Sequence, residues 1–203
     1  KQTELGIVEM GANHLGEIKL LSEIAQPDYG YITNFGKAHL EGFGSLEGVV
    51  QGKTELYQFL KRHHKKVFVN ANDPKQMANS EDIDRITFGK EESDFNIELL
   101  DSSHHLLVAF NGIEIQSNLV GAYNFVNLSA AIAIGSYFNV SPEKIKAGIE
   151  AYVPTNNRSQ LIKKGSNSIL MDAYNANPTS MLAALENFKQ TKGGNKILFL
   201  GDM

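Results

Sequence analysis

Three short apolar runs, Leu5–Met10, Tyr29–Asn34 and Lys66–Asn70, are separated by two stretches with helical spacing, and this alternation constrains the fold more than any other feature. Ile18, Leu21, Ile24 and Ala25 share one face of a predicted helix over Gly16–Ala25. Ser45, with Glu47 in the first turn, opens a second helix running to about Leu60. Strands separated by helices cannot pair as tight hairpins, so the spacing implies an α/β fold with a mainly parallel sheet flanked by helices. Residues 84–119 read differently. Phe95–Leu100, Leu106–Phe110 and Ile113–Leu119 are short strands, the last two joined by Asn111-Gly112, a strong hairpin signal. An antiparallel meander is expected there, at the edge of the sheet. Helices are predicted over Tyr123–Phe138 and from Ser141-Pro142-Glu143 to about Ala151.

Composition narrows the function classes. A net charge of −4 gives no electrostatic reason to bind nucleic acid or an anionic membrane. Zero cysteines exclude disulfides, thiolate metal sites and a cysteine nucleophile. No apolar run approaches the ~20 residues that span a bilayer. Val153-Pro154-Thr155-Asn156-Asn157 is the best linker, which divides the chain into domains at 1–157 and 158–203. The second piece holds an apolar strand ending at Met171, a helix over Thr179–Lys189 and a last apolar strand, Lys196–Met203. It is too short for a core of its own. Both ends of the chain read as cut from something longer.

Several residues sit where chemistry could be done. Ligands gather at the carboxyl ends of parallel strands. Asp172-Ala173-Tyr174-Asn175-Ala176-Asn177-Pro178 joins a strand to a helix, with Pro178 suited to the first helical turn. Glu9 ends the first apolar run; its hard carboxylate would suit magnesium, though its position equally describes a glutamate meeting solvent. Asn124 and Asn127, three apart at a helix start, share a face, and their amides suit an adenine edge. Asn124 could equally cap the helix. His39 lies in a glycine-flanked loop, whereas His63, His64, His104 and His105 read as solvated turn residues without a role. Lys53, in Gly52-Lys53-Thr54-Glu55, is by position an ordinary helix lysine. Gly48-Val49-Val50-Gln51-Gly52-Lys53-Thr54 imitates a phosphate loop but is one residue short and not at a strand-to-helix turn; no true Gly-x-x-x-x-Gly-Lys-[Ser/Thr] occurs.

Val8-Glu9-Met10-Gly11-Ala12-Asn13-His14, Ile32-Thr33-Asn34-Phe35-Gly36-Lys37-Ala38-His39-Leu40-Glu41-Gly42, the Asp172–Pro178 loop and the closing Leu200-Gly201-Asp202-Met203 together resemble the Mur ligases of peptidoglycan synthesis, in order and over almost the whole chain. The Gly-Ala-Asn-His wording is typical of the branch that adds D-alanyl-D-alanine to UDP-N-acetylmuramoyl-tripeptide. The resemblance implies an ATP-dependent amide ligase of the bacterial cytoplasm, working as a monomer through an acyl phosphate. It implies a P-loop NTPase-like central domain at 1–157 and the start of a Rossmann-like C-terminal domain at 158–203. It assigns two Mg2+ ions to Glu9, His39 and a carbamylated Lys53, and gives catalytic roles to Lys53, His39 and Arg158. Asn124, Asn127, Arg158 and Asp172 fall on the nucleotide side, with Arg158 at the phosphates. Asn13, His14, Tyr174, Asn175 and Asn177 are substrate-side candidates. Two positions depart from the pattern: Tyr123 stands where histidine is usual, and Asn157 where glycine precedes the arginine. The phosphate loop is expected upstream of Lys1, so the chain alone is not expected to catalyse the reaction. A sister ligase, such as another Mur ligase or folylpolyglutamate synthase, and a catalytically dead binding module are the two other readings.

Overall fold

The computed structural model describes residues 3–36, 40–191 and 194–201. The chain divides into two compact units, Lys1–Thr87 and Phe88–Met203. In the first, α1 (Glu17–Ala25), β1 (Tyr29–Tyr31), α2 (Leu40–Phe43), α3 (Leu46–Arg62), β2 (Lys66–Asn70) and α4 (Pro74–Asn79) follow in order. β1 and β2 run parallel, with Tyr29 opposite Lys66 and Tyr31 opposite Phe68, as a crossover through α3 requires. β3 (Asp84–Gly89) and β4 (Phe95–Asn96) are also parallel, and the sheet order is β1-β2-β3-β4. The parallel α/β architecture expected from the spacing is therefore present. Its core in this unit joins Ile18, Ile32, Phe35, Leu56, Leu60, Val67 and Val69, with Met10 and Ala12 packed against it. The Ser45 hydroxyl accepts the Gly48 N–H, capping α3 as its sequence predicted, and Lys61 and Arg62 complement the dipole at the other end.

The two terminal apolar runs behave otherwise. Leu5–Met10 is not a strand: no described strand pairs with it, and Ile7 is 89% exposed. Lys196–Leu200 is likewise irregular, with Phe199 91% exposed, while Asp202 and Met203 lie outside the described residues. A strand needs a neighbour to take its backbone hydrogen bonds, and an apolar run in sequence says nothing about whether one lies alongside.

The glycines of the false phosphate loop have a packing role. A Cβ at Gly48 would stand 2.0 Å from the Phe43 carbonyl oxygen, and one at Gly52 would stand 2.4 Å from Cε1 of the Phe43 ring. Spaced by four on α3, the two glycines form the seat on which the buried Phe43 rests, which fastens α2 to α3. Gly48→Ala should therefore destabilise the fold. Alanine is the better helix former by up to about 1 kcal/mol, but overpacking against fixed backbone costs about 1–3 kcal/mol. A urea midpoint lowered relative to wild type is the expected result; a raised midpoint would mean that Phe43 does not occupy this seat.

In the second unit, β5 (Glu98–Asp101), β6 (His105–Phe110) and β7 (Ile113–Val120) form an antiparallel sheet of their own. The single strand expected over Phe95–Leu100 is broken at the buried Ile97, whose N–H donates to the Gly89 carbonyl at 3.2 Å. The β6–β7 turn uses Asn111 and Gly112, both at positive φ (49° and 75°). A 3-10 turn, Ala122–Asn124, leads into α5 (Phe125–Tyr137), and α6 (Pro142–Ala151) starts at a Ser141 cap. Lys146 Nζ donates to the Glu114 carbonyl at 2.7 Å and Asn118 Nδ2 to the Glu150 carbonyl at 2.8 Å, which fixes α6 on β7. After the coil at 153–157, β8 (Gln160–Lys164) and β9 (Asn167–Met171) make an antiparallel hairpin, followed by α7 (Pro178–Gln190). Among the described residues no helix is long and apolar enough to cross a membrane.

Candidate functional site

The first unit carries two residues of the expected metal set, Glu9 and, on α3, Lys53. The Lys53 ammonium or amine donates to the Asn34 carbonyl, Nζ to O 2.7 Å, in the segment that follows β1. Burial holds the Lys53 amine below the ordinary lysine range, since the charged form loses water without gaining an anion. Glu9 is exposed and immediately precedes Met10, which packs against the core of this unit. The Glu9 carboxylate is a hard oxygen donor of the kind magnesium takes, whereas the Lys53 side chain offers a nitrogen. His39 lies outside the described residues. Among the described residues no three His, Asp or Glu side chains cluster in a ready-made metal site.

The loop Gly11–Gly16 that carries Asn13 and His14 is held by carboxylates. Glu17 Oε2 accepts from the Asn13 N–H at 2.6 Å and the His14 N–H at 3.0 Å, and these backbone bonds keep its carboxyl low. The His14 ring lies beside the same carboxylate, Nδ1 to Oε1 3.5 Å, with both side chains open to water. The Asn13 and His14 side chains are thus presented at the surface on a rigid loop.

In the second unit a cleft of about 580 Å³ is lined by Asn124, Asn127 and Arg158, together with Tyr152, Pro154 and Asn156. The structure thus gathers three of the four residues expected at the nucleotide, from the 3-10 turn, from α5 and from the chain just past the linker. Asn124 does not cap α5 with its side chain: its Nδ2 donates to the Val120 carbonyl at 2.8 Å, and its Oδ1 accepts from Asn127 Nδ2 at 3.3 Å.

Arg158 is held from both sides. Asn157 and Ser159 take left-handed backbone angles (φ 58° and 51°), so the chain pivots at the arginine. Asparagine occupies that region more readily than most residues, which explains how Asn157 replaces the usual glycine. The guanidinium lies 3.9 Å over the Tyr174 ring. The buried Ser159 contacts Tyr123 Oη through its hydroxyl at 2.5 Å, and its N–H donates to Asp172 Oδ1 at 3.4 Å. Although Asp172 reaches solvent, partial burial pushes its carboxyl up, against the pull of the Ser159 N–H and the Arg158 charge. Asn175 closes on its own loop, accepting from the Ala176 N–H at 2.9 Å. Asn177 caps α7: its Oδ1 accepts from the Ser180 N–H at 3.0 Å, and Ser180 Oγ accepts from the Asn177 N–H at 3.2 Å. Its amide oxygen is therefore committed to the fold.

Sequence reasoning named Tyr123 only as a departure from the family pattern and missed Glu55 and Gly42. Tyr123 supports Ser159 in place of the usual histidine. Glu55 ties α3 to the start of α1, through Gly16 and Lys19. Gly42 lets α2 approach the Asn13 carbonyl. None has a local signal, since each acts across tens of residues.

Comparison with known proteins places the chain in a family. The Mur ligase middle domain matches residues 1–135. The UDP-N-acetylmuramoyl-tripeptide–D-alanyl-D-alanine ligase of Bacillus subtilis is 37% identical over 211 aligned residues, covering 100% of this chain and 45% of its own length. Among solved structures, MurF from Acinetobacter baumannii superposes with a TM-score of 0.75 at 32% identity, over 90% of this chain and 42% of that one. The MurF ligase of Thermotoga maritima in complex with ADP shares the fold at a TM-score of 0.78 and 21% identity, over 91% of this chain and 44% of that one. The chain spans under half the length of these relatives. With the match running over residues 1–135, the chain belongs to the Mur ligase middle domain family.

Proposed function

We propose that this chain works within an ATP-dependent amide-bond ligase that joins D-alanyl-D-alanine to UDP-N-acetylmuramoyl-tripeptide in peptidoglycan synthesis. The observation that carries the reading is the meeting of Asn124, Asn127 and Arg158 at one cleft, in a chain 37% identical to a ligase of that name. Residues 1–157 are read as the central domain and 158–203 as the opening of the next, with the family match at 1–135 inside the first. The ligase is read as a monomer of the bacterial cytoplasm.

Asn124 and Asn127 would hold the adenine edge of ATP, and Arg158, steadied by Tyr174, would lie against its phosphates. Asp172 would accept from the ribose. The γ-phosphoryl group passes to the tripeptide carboxylate, giving an acyl phosphate and ADP; the amine of D-alanyl-D-alanine then attacks the acyl carbon, and phosphate leaves as the amide forms. Glu9, His39 and Lys53 would hold two Mg2+ ions, which when bound neutralise charge on the transferring group. For Lys53 to join that set, its neutral Nζ attacks carbon dioxide, an N–C bond forms and a proton is lost, leaving an anionic carbamate. The half-buried amine, held below the ordinary lysine range, supports this step. Asn13 and His14 remain the substrate-side candidates on the loop after Glu9, with Tyr174, Asn175 and Asn177 on the other unit.

The test is ADP release by the full-length ligase with Mg2+, ATP and UDP-N-acetylmuramoyl-tripeptide. Release is expected to depend on D-alanyl-D-alanine and not on L-glutamate. Dependence on a different amine would keep the family and overturn the acceptor. No release with any amine from folded protein would favour a binding module.

A further inference from the structure

The carboxylate of Glu55 spans two parts of the first unit that the proposed chemistry needs to keep in register. Helix α1 begins without a side-chain cap, because its N-cap is Gly16, at φ 88°. Its first N–H groups would otherwise lack partners. Glu55, on α3, supplies both oxygens: Oε1 accepts from the Gly16 N–H at 2.6 Å and Oε2 from the Lys19 N–H at 2.9 Å. A bidentate carboxylate at a helix start is a charge-assisted cap that also meets the positive end of the dipole. The same loop is held locally by Glu17, through the Asn13 and His14 amides. On a third side a Cβ at Gly42 would stand 2.1 Å from the Asn13 carbonyl oxygen, so α2 rests directly on the loop backbone.

Lys53 and Glu55 are two residues apart on α3 and diverge. Lys53 reaches the Asn34 carbonyl after β1, and Glu55 reaches the start of α1. One helix thus fixes both the Asn34 segment and the loop that follows Glu9. We propose that Glu55 is a positioning residue: it clamps the Gly11–Gly16 loop to α3 so that Glu9 and Lys53 are presented together to magnesium. This rests on the reading of Glu9 and Lys53 as a metal-holding pair.

The full-length ligase would be compared with Glu55→Ala, Glu55→Gln and Glu9→Gln variants by two measurements. One is amide hydrogen exchange over residues 11–20; the other is the Mg2+ concentration giving half-maximal ADP release. Glu55→Gln keeps size and one acceptor but turns its NH2 toward the second N–H, so it remains informative if the alanine variant folds poorly. Both Glu55 variants are expected to exchange faster at Gly16 and Lys19 and to need about 10- to 100-fold more Mg2+, the usual penalty for losing a group that orients a metal ligand. Unchanged exchange would overturn the clamp. Faster exchange with wild-type Mg2+ dependence, even with lower kcat, would overturn the positioning role and leave Glu55 purely structural. Wild-type Mg2+ dependence in Glu9→Gln would defeat the metal reading itself, and the proposal with it; loss in Glu9→Gln beside a normal Glu55→Gln would defeat the proposal alone.

Discussion

Replacing Lys53 with alanine in the full-length ligase is expected to lower kcat by about 10²- to 10³-fold, the scale on which removing one preorganised charge at a transferring group is felt. Part of that loss should return when acetate or another short carboxylic acid is added. The expectation follows from the lysine's surroundings: Nζ donates to the Asn34 carbonyl, burial disfavours its charged form, and among the described residues no carboxylate pairs with it. A carbamate would turn the side chain into an oxygen donor, and a small carboxylate diffusing into the gap left by alanine can imitate it. Lys53→Arg separates the two roles. Arginine keeps the positive charge and cannot be carbamylated, so it should be as inactive as alanine; substantial activity in Lys53→Arg would mean that the cation is the working group. The pH dependence has a definite sign. Lowering pH returns the amine to ammonium, which cannot attack carbon dioxide, so wild-type activity should fall on the acid side more steeply than that of carboxylate-rescued Lys53→Ala. Full activity in Lys53→Ala would sink the carbamate.

Periodicity carried the sequence a long way here, because the parallel α/β layers depend on spacing. The Ser45, Ser141 and Pro178 helix starts are local chemistry, and all three are where the residues put them. What failed were features that depend on distant neighbours. Leu5–Met10 has the composition of a buried strand, yet burial requires a partner that composition cannot name. The helix α4 and the strand β8 were missed for a different reason. α4 is six residues long, too short to show a period, although Asp73-Pro74 carried its cap. β8 is a polar, half-exposed hairpin arm, Gln160–Lys164, without an apolar alternation to betray it. Of the residues that line the cleft, Asn124 and Asn127 were candidates by spacing and amide chemistry, and Arg158 by the family resemblance alone. The glycines at 48 and 52 show the opposite case: they looked like a phosphate cradle and are a seat for Phe43.

Arg158 carries the second large effect. Its position is built from several independent constraints: left-handed residues on either side, the Tyr174 ring beneath the guanidinium, and Ser159 fixed by Tyr123 and Asp172. Holding a left-handed non-glycine residue costs of order 1 kcal/mol or more, and two such residues flank one arginine, so the fold spends stability to aim this side chain. If the aim is the developing charge on a phosphoryl group, Arg158→Ala should lower kcat by about 10²- to 10³-fold. The KM for UDP-N-acetylmuramoyl-tripeptide should move far less, because the lost interaction is strongest in the transition state. Arg158→Lys should recover only a minor part, since an ammonium neither stacks on Tyr174 nor grips phosphate in bidentate fashion. Tyr174→Leu, which leaves the charge and removes the ring, should fall between wild type and Arg158→Ala. Near-wild-type kcat in Arg158→Ala would show that the arginine serves the fold around the linker, and the same variant's stability would then be the quantity that drops.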